Sequence, residues 1–283
     1  MTITQNSQNR SWTASLSLTV LFVTTFITTV LFSQSLHAAE EKIDHALSEF
    51  SALYAVQKFG IKAAEAHYKL NHTDTGYKFT QYTELYGLAR MFADDTVSIT
   101  SIVDMMDNNL LLKKHIYIQT GREKNRDEDI TVRWDSAGGK LNGKVTGIVR
   151  SKPIDHEVDK PVWDVLSFQI PLMIEANAEQ KIYPYTALLK GEIDDYKFEL
   201  ISTETVDIEG KKYNTLHLVR NDPVKNRQLR IWLLPELNNI PLIVENYRDD
   251  KIHSRVQLEK VRFGQGEKFI HVTTEDDQED DDI

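Results

Sequence analysis

From Ser51 onward, apolar residues recur at every second position, and this alternation limits the fold more than any other feature of the chain. Within residues 64–70, Ala, Ala, Tyr and Leu alternate with Glu, His and Lys. Side chains two positions apart lie on the same face of a β-strand, so one face of such a segment can be buried. Comparable segments follow one another with turn residues between them, which favours an antiparallel β architecture over βαβ units.

The alternating segments predict where the strands lie. They fall at residues 64–70, 76–85, 96–103, 110–119, 130–134, 141–149, 182–190, 196–205, 213–220, 228–234, 242–247 and 254–263. The pairs Gly-Gly at 138–139, Asp-Asp at 194–195 and Asp-Asp at 249–250 are typical of turns. Residues 151–162 contain two prolines and five charged residues, which predicts a long loop.

Two features of the later strands indicate that the sheet is curved. In the last strand, Val256 and Leu258 are out of phase with Val261 and Phe263, and a β-bulge would reconcile the two pairs. Residues 229–234 are apolar on both faces, so both sides of that strand are expected to be covered. These features predict a mainly β fold: a large curved antiparallel sheet or open half-barrel with one or two short helices.

Two segments depart from the β pattern. Residues 40–50 carry apolar side chains at helical spacing and acidic residues in the first turns, which predicts a short helix. Residues 163–178 are predicted to form an apolar helix that Asp164 caps and Pro171 kinks or ends. That helix could cover or plug the concave side of the sheet, or it could simply complete the core.

The N-terminus has the pattern of a secretory signal peptide. Arg10 is the sole charged residue among the first 39, an apolar run occupies residues 16–32, and Ala38 and Ala39 close the segment. A basic start, an apolar stretch and small residues before the cleavage site are typical of such signals. We therefore expect residues 1–39 to be removed on export to the periplasm of a Gram-negative cell, with an uncleaved membrane anchor as the alternative.

Composition limits what the remaining chain can be. Residues 40–264 are expected to form a single β-rich domain, and the absence of cysteine means that its core must provide stability without disulfides. Seven of the last nine residues are acidic, so residues 265–283 are predicted to be an acidic disordered tail. Elsewhere in residues 40–274 basic and acidic residues nearly balance, which argues against nucleic acid as a partner.

No arrangement of residues predicts an enzyme, a metal centre or a cofactor site. His156-Glu157 begins a zinc-protease-like motif, but Lys160 occupies the position of its second histidine. The paired carboxylates at 194–195 and 249–250 fit turns better than the opposite walls of a glycosidase cleft. We therefore assign no catalytic, metal-binding or cofactor-binding residue.

Four stretches resemble one bacterial protein family. They are Leu-Tyr-Ala-Val at 53–56 with the segment 59–66, Val-Arg-Trp-Asp at 132–135, the Asp-led helix at 163–174, and Arg-Ile-Trp-Leu-Leu-Pro-Glu-Leu at 230–237, which leads to Ile240-Pro241. Over residues 50–263 the chain resembles the family called domain of unknown function 3108, although Glu236 stands where Asp is usual and Lys62-Ala63 where a glycine is expected. The resemblance implies an exported, β-rich envelope protein and supplies no catalytic residue.

Two functions fit these expectations. The first is a carrier or binder of a hydrophobic ligand, a lipid or a lipoprotein, with an outline similar to the periplasmic lipoprotein carriers, which are open β half-barrels with helical lids. The concave side would then be lined by Trp134, Phe168, Leu172, Met173 and Trp232. The second is an envelope structural or protein-interaction module with no small-molecule ligand. In both cases contact with a membrane would be transient or made by an uncleaved signal.

Overall fold

Alternating segments and tight turns build one continuous sheet. The computed structural model of the protein describes residues 46–91, 95–121, 125–137 and 139–273. The strands of the first half are β1 (Phe50–Lys58), β2 (Ile61–Thr73), β3 (Gly76–Leu85), β4 (Thr96–Met106), β5 (Asn109–Gln119), β6 (Glu128–Ala137), β7 (Lys140–Val149) and β8 (Lys152–Val158). A short 3-10 helix, Gly87–Met91, follows β3.

The second half begins with a short strand and the α-helix, and then returns to strands. Its elements are β9 (Val162–Trp163), α1 (Gln169–Glu175), β10 (Ile182–Leu189), β11 (Glu192–Ile208), β12 (Lys211–Asp222), β13 (Arg227–Leu234), a 3-10 helix (Pro235–Leu237), β14 (Ile240–Arg248), β15 (Lys251–Phe263) and β16 (Ile270–His271). No helix within the described ranges is long and apolar enough to cross a membrane.

Two meanders are joined side by side in this sheet. Strands β1 to β8 pair in sequence order, and so do β10 to β15. The long antiparallel ladder between β1 and β15, from Phe50 with Phe263 to Gln57 with Arg255, unites the two halves. The sheet therefore begins at β8 and ends at β9, two strands that are consecutive in the chain.

The sheet curls almost into a closed barrel. Residues 159–161 alone separate β8 from β9, the two ends of the sheet. A linker of that length spans at most about 14 Å, so the two ends must lie close together. The mainly β, antiparallel fold predicted from the sequence is confirmed, and the sheet closes further than a half-barrel because its ends are tied by so short a linker.

Side chains connect the two ends of the sheet where the strand ladder stops. We call this junction, between β8 at one end and β9 and β10 at the other, the seam of the barrel. The ring nitrogen Nε2 of His156 on β8 donates a hydrogen bond to the carbonyl oxygen of Gly191 at 2.8 Å, across to the turn between β10 and β11. Gly191 has a φ of +80°, and a Cβ atom there would lie 3.0 Å from the side chain of Ile154. Glycine thus provides both the left-handed turn and the close approach of this turn to β8.

The bulge expected in the last strand is present. Tyr54 pairs with Leu258 and Leu53 with Lys260, so Glu259 is an extra residue in β15. The bulge lets both Leu258 and Val261 point into the core, where both are fully buried. The phase change in the sequence thus correctly predicted where the strand bends.

The chain enters the barrel after β9 and forms an interior plug, residues 164–176. Asp164 and Ser167 make a reciprocal pair of hydrogen bonds: the Asp164 carboxylate accepts from the Ser167 amide at 3.0 Å, and the Ser167 hydroxyl accepts from the Asp164 amide at 3.0 Å. This turn delays the helix, so α1 is shorter than the predicted 163–178. The amide of Asn239 closes its other end by donating to the carbonyls of Met173 and Ala176.

The plug is tied to the barrel wall by a buried polar network. The carboxylate of Asp164 accepts a hydrogen bond from the hydroxyl of Ser101 on β4 at 2.9 Å. His115 on β5 lies between two carboxylates, with Nδ1 3.4 Å from Asp164 and Nε2 3.6 Å from Glu128 on β6. All four side chains are buried. The charges of His115, Asp164 and Glu128 must therefore compensate one another.

Opposite charges decide the protonation of this network. Burial alone would lower the pKa of His115, but the carboxylates of Asp164 and Glu128 raise that pKa to about 9. Burial alone would raise the pKa of Asp164, but His115 and the amides of Ser167 and Leu166 lower it. His115 is therefore an imidazolium held inside the protein at neutral pH.

Three local predictions were wrong for identifiable reasons. Residues 152–158 of the predicted loop form β8, because a strand at the end of a sheet tolerates charges and Pro153 on its solvent side. The pair at 194–195 lies inside β11, and the turn is instead Lys190-Gly191, both with positive φ. Of the helix predicted at 40–50, the described residues 46–50 are not helical, and Phe50 begins β1.

The sheet extends beyond residue 264, where the acidic tail was expected to begin. Ile270 and His271 pair with Val261 and Lys260, and Val272 is fully buried. The acidic block itself, residues 275–282, and the expected signal peptide, residues 1–39, lie outside the described residues.

The buried network predicts a specific pH dependence. The raised pKa of His115 adds stability that is complete below its ordinary value of 6.5 and disappears as the pH rises through about 9. The free energy of unfolding of wild type should therefore exceed that of His115→Gln most below about pH 6.5, and the gap should narrow between about pH 6.5 and pH 9. Urea titrations at several pH values measure both proteins, and a constant gap would contradict a charged His115.

Loss of the plug's anchor should be costly. Asp164→Asn removes one of the two carboxylates that compensate the buried His115 and leaves only Glu128, and we expect a loss of about 3 kcal/mol in the free energy of unfolding. Ser101→Ala removes a single hydrogen bond to the same carboxylate, and should cost about 1 kcal/mol. Thermal melts of both variants measure the two losses of stability. Equal losses would show that the ion pair stabilises the protein no more than a single hydrogen bond does.

The helix should behave as core on one side and as surface on the other. Leu172 is 0% exposed, so Leu172→Asp buries an unpaired charge and should cost several kcal/mol, about enough to unfold the protein. Ile174 in the same helix is 37% exposed, and Ile174→Asp should leave the melting temperature nearly unchanged. Circular dichroism melts of both variants test this, and a folded, stable Leu172→Asp protein would mean that the helix can swing out of the barrel.

Candidate functional site

A cavity lies beside the seam of the barrel. It has a volume of about 880 Å³ and is open to solvent on one side. Three parts of the chain meet there: the β4–β5 hairpin, the segment from Lys160 through α1, and the β10–β11 hairpin. We call it the seam cleft. Its size falls within the range of pockets that bind small molecules.

Apolar side chains form most of the cleft surface. Pro171 and Ile174 of α1 line it together with Trp163 of β9. The helix buries Leu172 and Met173 on its other side, so α1 carries apolar residues on both sides. A helix with this pattern can contribute to the barrel core and still present apolar surface to a cavity.

The remaining walls come from the two hairpins. Met105 and Leu110 flank the β4–β5 turn, while Tyr185 and Tyr196, which are register partners, come from β10 and β11. Aromatic rings with a polar end suit a boundary between an apolar pocket and water.

A charged pair bridges the linker and the β10–β11 hairpin at the rim. Lys160 donates to the carboxylate of Asp195 at 2.8 Å, and the hydroxyl of Thr186 donates to the same oxygen at 2.8 Å. These two donors lower the pKa of Asp195. Because the pair is exposed to solvent, it contributes little stability, and its consequence is to hold the residue 159–161 linker against β11.

Glu175 is the second carboxylate at the rim. Its side chain accepts a hydrogen bond from the hydroxyl of Tyr185 at 3.4 Å. Partial burial raises the pKa of Glu175, and the hydrogen bond opposes that rise. Lys197, the other cation lining the cleft, is paired with Glu199 at 2.7 Å. The rim therefore carries both signs of charge and selects no strongly charged ligand.

The lining residues provide mainly apolar surface. Among the described residues around the cleft there is no histidine, cysteine or serine that could serve as nucleophile or base. The two carboxylates at the rim, Glu175 and Asp195, are not free, because each accepts a hydrogen bond from a neighbouring side chain. What the cleft offers is apolar area with a few polar groups at its mouth.

The plug contains three of the five residues predicted to line a ligand cavity. Leu172 and Met173 are buried in the barrel core, and the ring of Phe168 stacks on that of Phe198 with centroids 5.6 Å apart. None of the three lines the seam cleft, although their neighbours Pro171 and Ile174 do.

The two tryptophans lie elsewhere. Trp134 on β6 packs over Gly143 of β7, and its indole nitrogen donates to the carbonyl of Leu112 at 2.7 Å. The register of β5 and β6 ends at Lys114, so this indole reaches a carbonyl that the ladder leaves free. Trp232 lies between Ile231 and Leu233, which both point into the core, and so faces outward.

On the outer wall, Trp232 belongs to a small polar group. Its ring stacks on His217 with centroids 4.2 Å apart, and its indole nitrogen donates to Glu204. The same carboxylate lies 3.3 Å from Nδ1 of His217. Burial lowers the pKa of His217, partly opposed by Glu204. The structure thus does not bring Trp134 and Trp232 together with the plug residues around one cavity.

One group of described residues has the composition of a metal site. Glu65, His67 and Glu84 place their ligand atoms within 4.8 Å of one another on the outer side of β2 and β3. Each carboxylate already has a cationic partner, since Lys62 contacts Glu65 at 2.9 Å and Arg90 contacts Glu84 at 2.5 Å. The group is accounted for by ion pairs.

Sequence reasoning missed most of the residues that line the cleft. Leu110, Tyr185 and Tyr196 were assigned to ordinary strands and Met105 to none, and no spacing relates these residues to Trp163. The one available signal was that the segment after Trp163 carries apolar residues on both sides of its helix. Such a helix has more apolar surface than one core contact can cover.

Comparison with known proteins identifies a family but no activity. The family model described as a protein of unknown function, DUF3108, matches residues 49–252. No significant match was found among curated proteins. A solved structure, a β-barrel-like protein of domain of unknown function DUF1849 from Brucella abortus, is 15% identical with a TM-score of 0.46, covering 77% of this chain and 98% of that one.

The match to the family model confirms the resemblance found in the sequence. It spans most of the chain, from the residue before β1 into β15. This protein therefore belongs to the DUF3108 family of proteins of unknown function.

Proposed function

We propose that the protein is a non-enzymatic binder or carrier of an apolar ligand in the bacterial envelope, and that the ligand lies in the seam cleft. The observation that carries this proposal is the cleft itself, which is lined by Pro171 and the exposed Ile174 of the plug helix between two hairpins. Apolar area left accessible in a concave site is a recurrent feature of ligand pockets.

The preferred ligand is an acyl chain of a lipid or lipoprotein. The apolar floor provides no hydrogen-bonding pattern that would select a polar molecule, and the two tyrosines and the paired charges lie around it. An extended hydrocarbon would cover Trp163 and Ile174, while its polar end would meet Lys160 and Glu175 at the rim. The barrel interior is occupied by Leu172 and its neighbours, so the ligand binds beside the plug and not beneath it.

The proposed periplasmic location rests on the N-terminal sequence. A charged start, an apolar run at 16–32 and the alanines at 38 and 39 support export. A protein without disulfides that binds acyl chains in this compartment would carry them across the aqueous space between membranes. A cell fractionation with an antibody to the chain tests the location.

The first test is the chemical content of the protein itself. Protein purified without detergent from its own cells should release a lipid or other acyl species on extraction with organic solvent, seen by mass spectrometry. Because a transient carrier can be recovered empty, titration of purified protein with the fluorescent apolar probe 1-N-phenylnaphthylamine is the decisive measurement.

Two matched substitutions assign the binding to the cleft. Ile174→Asp places a charge on the cleft floor and should raise the dissociation constant of the probe about tenfold or more, with little change in melting temperature. Val165→Asp is the control, because Val165 is a comparably exposed residue of the same segment, at 45%, that does not line the cleft. Displacement of the probe by fatty acids should fail in Ile174→Asp and persist in Val165→Asp.

Either of two results would overturn the proposal. Equal affinity of the two variants for the probe would place apolar binding outside the seam cleft. Absence of any saturable binding by the wild-type protein would remove the ligand-binding role and favour the alternative, an envelope interaction module.

A further inference from the structure

Three hairpin turns form a continuous surface at one end of the barrel. They are the β1–β2, β12–β13 and β14–β15 turns, residues 58–62, 222–227 and 248–253, which we call the turn cluster. The sheet order places these hairpins next to one another. Because successive turns of a meander alternate between the ends of a barrel, the cluster lies opposite the β4–β5 turn that borders the seam cleft.

Hydrogen bonds and strand register show that the three turns are contiguous. The amide of Asp249 donates to the carbonyl of Asn226 at 3.1 Å, and the Asn226 side chain donates back to the Asp249 carboxylate at 3.1 Å. The register of β1 and β15 brings Gln57 opposite Arg255, next to the third turn. The turn cluster is therefore one surface and not three separate tips.

Large apolar side chains project from this surface. Phe59 is 80% exposed, Ile61 71% and Val224 92%, and Ile252 is also exposed. Isolated exposed apolar residues are ordinary on proteins, but several on adjacent turns are not.

The conformation of Phe59 is locally unfavourable. It has a φ of +53°, and among the described residues it is the only apolar residue other than glycine with positive φ. Hairpin turns of this type prefer Asn, Asp or Gly at such positions, and a bulky aromatic residue there is an outlier. Within the chain the ammonium of Lys58 lies 5.5 Å from the centroid of the Phe59 ring, but the residue is still 80% exposed. A partner outside the chain would account for it.

A second unfavourable feature lies in the same cluster. Arg227 and Arg248 are directly opposite one another in the β13–β14 register, and like charges in that position destabilise a strand pair. Burial, and then Arg248, Lys58 and Arg227, lower the pKa of His253, which agrees with these cations converging. The turn cluster contains six Lys or Arg residues against three Asp.

We infer that the turn cluster is a docking surface for an anionic lipid bilayer. Phe59, Ile61 and Val224 would enter the interface between headgroups and acyl chains, while Lys58, Arg227 and Arg248 would neutralise lipid phosphates. Apolar residues beside basic ones are a recurrent means of reversible attachment to a membrane surface. This inference does not depend on the seam cleft.

A lipid surface explains more of the cluster than an acidic protein would. An acidic polypeptide would compensate Arg227 and Arg248 but would leave three exposed apolar side chains in water. A bilayer meets both requirements at once, because its headgroups are anionic and its acyl region lies directly beneath them.

Flotation with lipid vesicles tests the inference on the protein as it is recovered from cells. Wild-type protein should float with vesicles of phosphatidylcholine mixed with phosphatidylglycerol, and much less with phosphatidylcholine alone or at high salt. Phe59→Asn should weaken binding about tenfold and should also raise the melting temperature, because Asn tolerates positive φ. Arg227→Gln should weaken binding to the anionic vesicles about fivefold.

The control is Ile201→Asn, since Ile201 is 57% exposed in the middle of β11, a strand that contributes no turn to the cluster. It should bind vesicles as wild type does. Unchanged flotation of Phe59→Asn, or equal flotation with neutral and anionic vesicles, would overturn the inference. So would equal binding of wild type and Phe59→Asn to soluble polyglutamate with no flotation, which would assign the surface to an acidic protein.

Discussion

The carboxylate of Asp164 holds the inside of the barrel to its wall. It accepts hydrogen bonds from Ser101 and from two amides of the plug, and it compensates the charge of His115. Because the chain enters the barrel at this residue, the network decides where α1 lies. The helix in turn completes the core with one side and forms the floor of the seam cleft with the other. Removing the anchor would therefore disturb the core and the candidate site together.

Much of the fold follows from patterns that a single strand carries in its own sequence. Alternation located the long strands, Asp249-Asp250 marked a turn, and the phase change around Glu259 located a bulge. Errors arose where position in the sheet overrides composition. Strand β8 is charged and contains Pro153, which is acceptable only because β8 is the last strand before the seam. Whether a segment forms an edge strand depends on the strand order of the whole sheet, and not on the composition of that segment.

The candidate site was less predictable than the fold. The sequence drew attention to the segment after Trp163, but both faces of α1 are apolar, so no pattern shows that Leu172 points inward and Ile174 outward. The other walls of the cleft come from β4–β5 and β10–β11, which meet only when the sheet curls. Phe59 was read as part of a family motif, and its positive φ becomes visible only in the turn.

The ladder between β1 and β15 has a consequence for the order of folding. Each meander can form from neighbouring hairpins, but the two halves join only when the strand near the start of the domain meets the one near its end. Contacts between distant parts of a chain form slowly, because the entropy of closing a long loop must be overcome first. A nascent chain lacking β15 has no partner for one edge of β1. Such a chain can form the hairpins of the first meander, but these cannot join the second meander until β15 has been synthesised.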